Sequence, residues 1–259
     1  MNIRATLIFL STLLATLNCR ATAPVAASSP AGDAPALQSQ KSAVNELIPW
    51  LLNESEELRG IPFSDVISAA TGKKIIAFDP NNPIDQRVLK QIGSVLDEAL
   101  KRMNAPDSVV QEVARVNELS SHFETMLREL LNSTSGLSCD FPVTEQNKKQ
   151  RSGYPDLKLV DAESKRVFYI DPKLYAKGSR ASSFRTFYFE PKVATNKVRD
   201  DAVHLIVGIE HEPRSGGHWE FTRWDIVDLS QFKVKLKAEF QGSNRDLYRD
   251  EAVIGTSAK

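Results

Sequence analysis

Apolar residues recur every three or four positions through the first half of the chain, which is the spacing of amphipathic helices. This period predicts helices over residues 42–59 and 83–104. A third helix is predicted over residues 106–132, with Pro106 in its first turn and Asn104 as a candidate N-cap. The first half of the folded region is therefore expected to be helical.

From residue 133 onwards the pattern changes to short apolar runs and alternating stretches, which are typical of strands. Two strands are predicted as a hairpin within residues 154–175, and further strands over 182–191, 202–212, 218–229 and 233–240. Helices followed by strands predict an α/β fold in which helices flank a mixed central sheet. We expect one domain over residues 42–259, with a helical part (42–132) and a sheet part (133–259).

The N-terminus has the pattern of a targeting segment. Arg4 precedes an apolar run that is too short to span a bilayer comfortably, and small residues follow it. Because Ala21–Ala23 forms a candidate cleavage site, we interpret residues 1–23 as a signal peptide and expect a secreted or cell-envelope protein without a stable membrane span. Cys19 leaves a second interpretation open, a bacterial lipoprotein that is anchored through this cysteine.

A spacer is predicted between the signal and the folded region. Residues 24–41 are rich in Ala, Ser and Pro and show no apolar period. Such a composition does not support a packed core, so this segment is expected to be a disordered linker.

Composition limits the class of protein. With 259 residues, of which 41% are hydrophobic and 25% charged, the chain resembles an ordinary soluble globular protein. Its formal net charge of zero excludes a strongly basic nucleic-acid-binding coat. Charge is nevertheless uneven, because residues 146–200 contain 13 Lys and Arg against 6 Asp and Glu, whereas residues 44–145 contain 9 against 16. This basic middle segment favours a local anionic partner.

The hairpin within residues 154–175 combines charges in an unusual way. Alternation along the second strand places Asp171 and Lys173 on one face, about 7 Å apart. An antiparallel return brings Asp156 to the same end of the hairpin. Because Pro172 lacks a backbone donor, we expect this site at a sheet edge or bulge.

Two neighbouring carboxylates repel each other unless a cation lies between them. Hard divalent ions such as Mg²⁺ bind one or two carboxylates together with water and phosphate oxygens. A lysine nearby can activate a water or stabilise the charge of a reacting phosphate. The hairpin therefore has the groups needed for metal-assisted phosphodiester hydrolysis.

The same residues carry a resemblance to a known family. "PD" at Pro155-Asp156 is followed, after fourteen residues, by "DPK" at Asp171–Lys173, which resembles the signature of the PD-(D/E)xK nuclease superfamily. The resemblance covers roughly residues 106–240. It implies a restriction endonuclease-like fold that presents two acids and a lysine, binds Mg²⁺ (with Mn²⁺ as the alternative ion) and cleaves DNA.

Members of that superfamily often carry a further glutamate on the helix before the hairpin. On the predicted helix, Glu124 lies about 70° from the centre of the buried stripe, whereas Glu118 and Glu129 point into solvent. The predicted stripe consists of Val113, Val116, Ser120, Phe123, Leu127 and Leu130. We therefore expect Glu124 to join Asp156 and Asp171 as a metal ligand, while Lys173 acts on the attacking water.

Two further groups are candidates for contacts with the phosphates of nucleic acid. Arg180 and Arg185 follow the lysine of the motif closely. Lys233, Lys235 and Lys237 share one face of a predicted strand, and such a row can follow a phosphate backbone.

These observations favour an exported, Mg²⁺-dependent endodeoxyribonuclease. The alternative is a non-catalytic protein on the same fold, exported or lipid-anchored, that binds nucleic acid. Neither interpretation specifies an oligomeric state.

Overall fold

The structure is a computed structural model that describes residues 34–53, 58–183 and 187–257. The chain forms two compact units, Met1–Leu52 and Asn53–Lys259. Helix α1 (Ala34–Asn53) is the described element of the first unit. Residues 1–23, interpreted above as a signal peptide, lie outside the described ranges.

Helix α1 differs from the predicted helix at both ends. It begins at Ala34, inside the segment predicted to be a disordered linker, and ends at Asn53 instead of Arg59. Residues 54–57 are not described, and Leu58 and Arg59 lie in a turn. Gly60 follows with a positive φ of 70°, a conformation that glycine adopts readily.

The second unit is built on a six-stranded mixed sheet. Its strands are β2 (Ile75–Ile76), β3 (Leu137–Asp140), β4 (Leu157–Asp161), β5 (Val167–Ala176), β6 (Ala202–His211) and β7 (Phe221–Asp228). Their order is β2-β6-β5-β4-β3, and β7 also pairs with β6. The pairs β5–β6 and β2–β6 are parallel, whereas the others are antiparallel. Two short strands, β1 (Ile61–Pro62) and β8 (Lys233–Val234), form a separate antiparallel pair.

Helices accompany this sheet. The second unit contains α2 (Phe63–Thr71), α3 (Pro83–Met103), a 3-10 helix (Val109–Glu112), α4 (Val116–Asn132) and α5 (Asn244–Leu247). The predicted α/β class, with helices flanking a mixed central sheet, is confirmed. Within the described ranges, no helix is both long and apolar enough to cross a membrane.

Helix α3 confirms the prediction for residues 83–104 because its signals are local. The side chain of Asn82 accepts hydrogen bonds from the backbone N–H groups of Ile84 and Asp85, and Pro83 occupies the first turn. Both features stabilise a helix N-terminus. Buried residues then recur at helical spacing from Val88 to Met103.

The single helix predicted over residues 106–132 is wrong. The Nε2 atom of Gln111 donates to the backbone oxygen of Trp219, and the Trp219 indole donates to the backbone oxygen of Val113. These tertiary bonds hold an extended segment between the 3-10 helix and α4. Asn104 is the C-cap of α3 rather than an N-cap, and its side chain bonds to the backbone of Phe221.

Among the later strands, β6 and β7 confirm the predictions for residues 202–212 and 218–229. The strand predicted over residues 182–191 is absent from its described part, 182–183 and 187–191. Phe187 and Phe189 there pack edge-to-face on Phe63 instead. The strand predicted over residues 233–240 is reduced to β8.

Alternation along β5 divides its side chains between two buried clusters. Phe168 and Ile170 belong to the cluster formed with α3 and α4. Tyr169 belongs to the other cluster, around Phe63 and Tyr154. Asp171 follows two positions after Tyr169 and continues its face of the strand.

The hairpin strand is not at a sheet edge, contrary to the prediction from Pro172. Strand β5 lies between β4 and β6, and Pro172 aligns with Val207 of β6. Pairing with β4, however, extends only to Leu157 opposite Ile170. Beyond Ile170, β5 has no β4 neighbour, so a residue without a backbone donor is tolerated there.

Candidate functional site

Two aspartates meet where β4 and β5 stop pairing. Leu157 is opposite Ile170 in the antiparallel register, so Asp156 and Asp171 come next on the two strands. Asp171 is only 2% exposed, and the Asp156 side chain is 14% exposed. The predicted convergence of these residues is therefore present in the fold.

Lys173 connects the two acids. Its Nζ atom lies 2.5 Å from Asp171 Oδ2 and 3.7 Å from Asp156 Oδ2. The side chain remains 31% exposed. One ammonium group thus neutralises part of a buried carboxylate pair and still reaches solvent, where a substrate can approach it.

The electrostatic environment of Asp156 is strongly perturbed. Burial raises the pKa of its carboxyl group to about 8, and the negative charge of Asp171 adds to this effect. Lys173 opposes the increase, whereas Glu124 contributes to it. Without another cation, the two buried aspartates therefore resist carrying two full negative charges together.

For Lys173, in contrast to Asp156, the surroundings favour the charged form of the side chain. Burial by itself lowers the pKa of its ammonium group, but the charges of Asp171 and Asp156 outweigh burial and raise the pKa above its usual value. The side chain is therefore a stable cation. In this state it can donate hydrogen bonds or stabilise negative charge, but it cannot accept a proton.

Glu124 lies near these groups on α4, with its side chain 12% exposed. Arg151 holds its carboxylate at 3.0 Å and also donates to the backbone oxygen of Ser121 at 2.9 Å. The Arg151 guanidinium covers the Phe141 ring at 4.6 Å from the centroid. The buried stripe of α4 is Leu119, Phe123, Leu127 and Leu131, so the predicted stripe is partly wrong.

The segment before Asp156 is fixed by the contacts of a buried tyrosine. Tyr154 is buried, and its hydroxyl lies 2.6 Å from His204 Nδ1 on β6. Its ring packs against Phe63, Phe187 and Phe189. Because Asp156 follows Tyr154 by two residues, this packing limits where its carboxylate can lie.

The residues predicted to contact phosphates are more dispersed. Arg180 forms an ion pair with Asp225 at 3.2 Å, and Arg185 lies outside the described residues. Lys233, Lys235 and Lys237 are exposed, and Lys237 pairs with Glu239. No contact joins any of these four described side chains to Asp156, Asp171 or Lys173 in the described ranges, so their DNA contacts remain a prediction.

The donor set suits a hard divalent cation in part. Asp156 and Asp171 offer the one or two carboxylates that Mg²⁺ takes together with water and phosphate oxygens. The raised pKa of Asp156 indicates a place where added positive charge would be stabilising. Within the described part of the chain, no three acidic, His or Cys side chains form a ready metal cluster, and Glu124 is paired with Arg151. Two carboxylates therefore fit Mg²⁺, and Glu124 would be an additional acid.

Two basic residues of this region were not predicted from the sequence. Arg151 precedes the motif in a loop, and Lys197 lies in a second loop that is distant in the chain. Burial of Lys197, which is 1% exposed, results from tertiary packing. The surrounding sequence, "TNKVRDD", is polar, so no local pattern indicates it.

Two buried carboxylates at the end of a strand pair, together with a partly exposed lysine, are groups that metal-assisted phosphodiester hydrolysis can use, and the class of protein that they indicate is a nuclease. The family model described as the Type II restriction enzyme MjaV family matches residues 56–251, and the chain belongs to this family. The matched range contains every residue of the site described above.

One curated relative supports the same conclusion. The Type II restriction enzyme MjaV of Methanocaldococcus jannaschii is 30% identical over 224 residues, which cover 83% of this chain and 96% of the relative. The predicted enzyme class, an endodeoxyribonuclease that hydrolyses phosphodiester bonds, is confirmed by this membership. Between the two interpretations of the sequence, the enzyme is favoured over the non-catalytic binding protein.

Proposed function

We propose that the chain is a Mg²⁺-dependent endonuclease of the PD-(D/E)xK type, which hydrolyses DNA phosphodiester bonds at the site formed by Asp156, Asp171 and Lys173. One observation carries the proposal: a lysine ammonium lies 2.5 Å and 3.7 Å from two aspartates at the unpaired end of the β4–β5 hairpin. Membership in a restriction enzyme family supplies DNA as the substrate.

Each residue has a distinct role in this proposal. Asp156 and Asp171 hold the divalent ion, and Glu124 assists as a third acid within electrostatic reach of Asp156. A bound Mg²⁺ supplies positive charge to the phosphate and promotes ionisation of a water molecule. Lys173, as a stable cation, donates to a phosphate oxygen or orients the attacking water.

The buried setting strengthens these interactions. Electrostatic attraction is larger where the surroundings exclude water, and Asp171 is almost completely buried. Tyr154 and its partner His204 fix the backbone that carries Asp156. The acids therefore need little rearrangement before the reaction, which lowers its barrier.

Cleavage of plasmid DNA by the purified full-length chain tests the proposal. We expect cleavage with Mg²⁺ or Mn²⁺ and none with excess chelator. Asp171→Asn keeps the size of the side chain but removes its charge, and should reduce the cleavage rate by about 10³-fold or more. Glu163→Gln, in the exposed turn of the same hairpin, is the matched control and should cleave normally.

Two results would count against the proposed metal site. Metal-dependent cleavage by folded Asp171→Asn at the rate of the unsubstituted protein would contradict this site. So would cleavage that persists in excess chelator.

We also propose export of this chain, from its N-terminal segment alone. Arg4, the apolar run after it and Ala21–Ala23 support a cleaved signal peptide. Cys19 supports a lipid-anchored form as the second option. A nuclease outside the cell would act on foreign DNA or on DNA as a nutrient, because a modifying partner enzyme cannot protect DNA there.

Fractionation of tagged protein, followed by N-terminal sequencing, tests export. A mature chain that begins after residue 23 supports the signal peptide, and a lipid-modified chain that begins at Cys19 supports the anchor. Full-length protein recovered from the cytoplasm contradicts both.

A further inference from the structure

A buried lysine lies beside the site without an acidic partner in direct contact. Lys197 is 1% exposed, and its Nζ atom is 3.2 Å from the backbone oxygen of Gln150 and 3.4 Å from that of Arg151. In the part of the chain that the structure describes, no carboxylate lies within ion-pair distance of it. Burial of an ammonium group is costly unless nearby negative charge compensates it.

The compensating charge comes from the site itself. Burial lowers the pKa of Lys197 below its usual value, and the carboxylates of Asp156, Asp171 and Glu124 offset part of this effect. Lys173 also influences it, by repulsion. Lys197 is therefore within electrostatic range of all four site residues, although its hydrogen bonds go to backbone oxygens.

These backbone oxygens belong to the segment that builds the site. Residues 150–151 lead into Tyr154 and Asp156, and Arg151 carries the guanidinium that holds Glu124. The loop that carries Lys197 is itself anchored, because the backbone N–H of Arg199 donates to the hydroxyl of Tyr169 on β5. Lys197 thus joins its own loop to the segment that leads into Asp156.

Three cations consequently act on three acids. Lys173 contacts both aspartates and Arg151 contacts Glu124, whereas Lys197 acts on all three from a distance. Lys173 and Arg151 are 31% and 47% exposed and can turn towards a substrate. Lys197 is enclosed, so its charge stays in place.

We propose that Lys197 is a positioning residue of the nuclease site. It fixes the backbone of residues 150–151, and in its protonated form its charge attracts the acidic residues before a metal ion binds. It also limits how tightly the free protein binds a divalent ion. This inference rests on the proposed function, since it concerns the same metal-binding acids.

The two effects of Lys197 predict changes of opposite sign. Removing its charge makes the site more negative, so a divalent ion should bind more tightly. Removing its ammonium also releases the 150–151 backbone, so cleavage should become slower. A lysine with a merely structural role would not tighten metal binding when it is lost.

Mn²⁺ binding by calorimetry without DNA, together with plasmid cleavage, tests the proposal on the full-length chain. For Lys197→Met and Lys197→Gln, we expect the Kd for Mn²⁺ to fall at least about threefold. In both variants the cleavage rate should fall at least about tenfold. Lys197→Arg keeps the charge and should keep the Kd within about twofold of the unsubstituted protein.

Lys101→Met is the matched control, because Lys101 pairs with Glu98 on the exposed surface of α3. It should change neither quantity. Unchanged or weaker Mn²⁺ binding in both neutral variants overturns the proposal, as does the same tightening in the control. If circular dichroism shows that neither neutral variant folds, Lys197 belongs to the fold alone and the proposal is rejected.

Failure of the proposed function itself gives a different result. If the unsubstituted protein binds no Mn²⁺ and cleaves no DNA, the metal site is contradicted and the role of Lys197 falls with it. If the unsubstituted protein does both and only the Lys197 expectations fail, the metal site remains supported.

Discussion

The imidazole of His204 shows how a buried side chain can fix a neighbouring functional group. It is completely enclosed, stacks on Tyr154 and has its Nδ1 atom 2.6 Å from the Tyr154 hydroxyl. Its Nε2 atom has no hydrogen-bond partner within the described ranges. A charged imidazolium is therefore disfavoured here, and burial lowers the pKa of His204 to about 4.

This lowered pKa predicts that the protein loses stability in acid. An unfolded histidine has a pKa of about 6.5, so unfolding takes up a proton between the two values. The contribution is complete above about pH 6.5 and is lost as the pH falls towards 4, by on the order of 3 kcal/mol in the free energy of unfolding. Urea unfolding at several pH values measures it.

The comparison uses two variants. His204→Gln keeps an oxygen that can accept from Tyr154 but cannot titrate, so its stability should change less between pH 6.5 and 4. His218→Gln replaces an exposed histidine and should follow the unsubstituted protein. Identical pH dependence of all three proteins would contradict the argument.

At the scale of single residues, the sequence predicts that side chains lie together only where the residues are close in the chain. Asp171 and Lys173 are two positions apart on one strand, and a hairpin return suffices to bring Asp156 beside them. Lys197 and Arg151 reach the same region only through the packing of loops. No periodic pattern describes such contacts, so the sequence could not indicate them.

At the scale of elements, helix α3 is tied to the hairpin at the end opposite the site. Asp85 is completely buried in α3 and holds Arg166, just before β5, at 2.5 Å. Asp85 Oδ2 also accepts from the backbone N–H of Asp79. Both strands of the hairpin are therefore held in register against a helix, because Arg87 of α3 binds Asp161 at the end of β4.

This burial predicts a large loss of stability for Asp85→Ala. Removing one partner of a buried ion pair leaves the other charge uncompensated, which costs about 3–5 kcal/mol in the free energy of unfolding. The matched control is Glu98→Ala, also on α3, whose exposed pair with Arg102 has a distance of 2.7 Å. An exposed pair contributes far less to the free energy of unfolding, because water and salt screen its charges. Urea unfolding compares the two variants, and equal losses would contradict the prediction.

The helices also show which parts of an element are predictable. The N-terminus of α3 carries its own signals in Asn82 and Pro83, and the prediction there is confirmed. In residues 106–132, the apolar period runs on although the helix is broken. The break arises because Trp219, from a distant segment, holds the backbone near Val113 in an extended conformation. Periodicity records the apolar face but not the tertiary hydrogen bonds that interrupt a helix.

At the scale of the whole molecule, the order of the strands decides where the site lies. The parallel neighbour β6 extends beyond the end of β4 and pairs with β5 along its length. Asp171 and Lys173 consequently lie on a stretch of β5 that is paired with β6 on one side and has no β4 neighbour on the other. The sequence predicted most of these strands but not their order, because pairing between β2 and β6 joins segments that are distant in the chain.

The division of the chain predicts that residues 53–259 contain the whole nuclease. All strand pairs of both sheets lie within Asn53–Lys259, as do the aspartates, Lys173, Glu124 and Lys197. The family match begins at residue 56. We therefore expect a fragment of residues 53–259 to unfold within about 4 °C of the full-length chain, since it keeps every core residue that the structure describes. It should cleave plasmid at the same rate, and the same fragment with Asp171→Asn should be inactive. A fragment that fails to fold, or folds but does not cleave, would show that residues 1–52 take part in the enzyme.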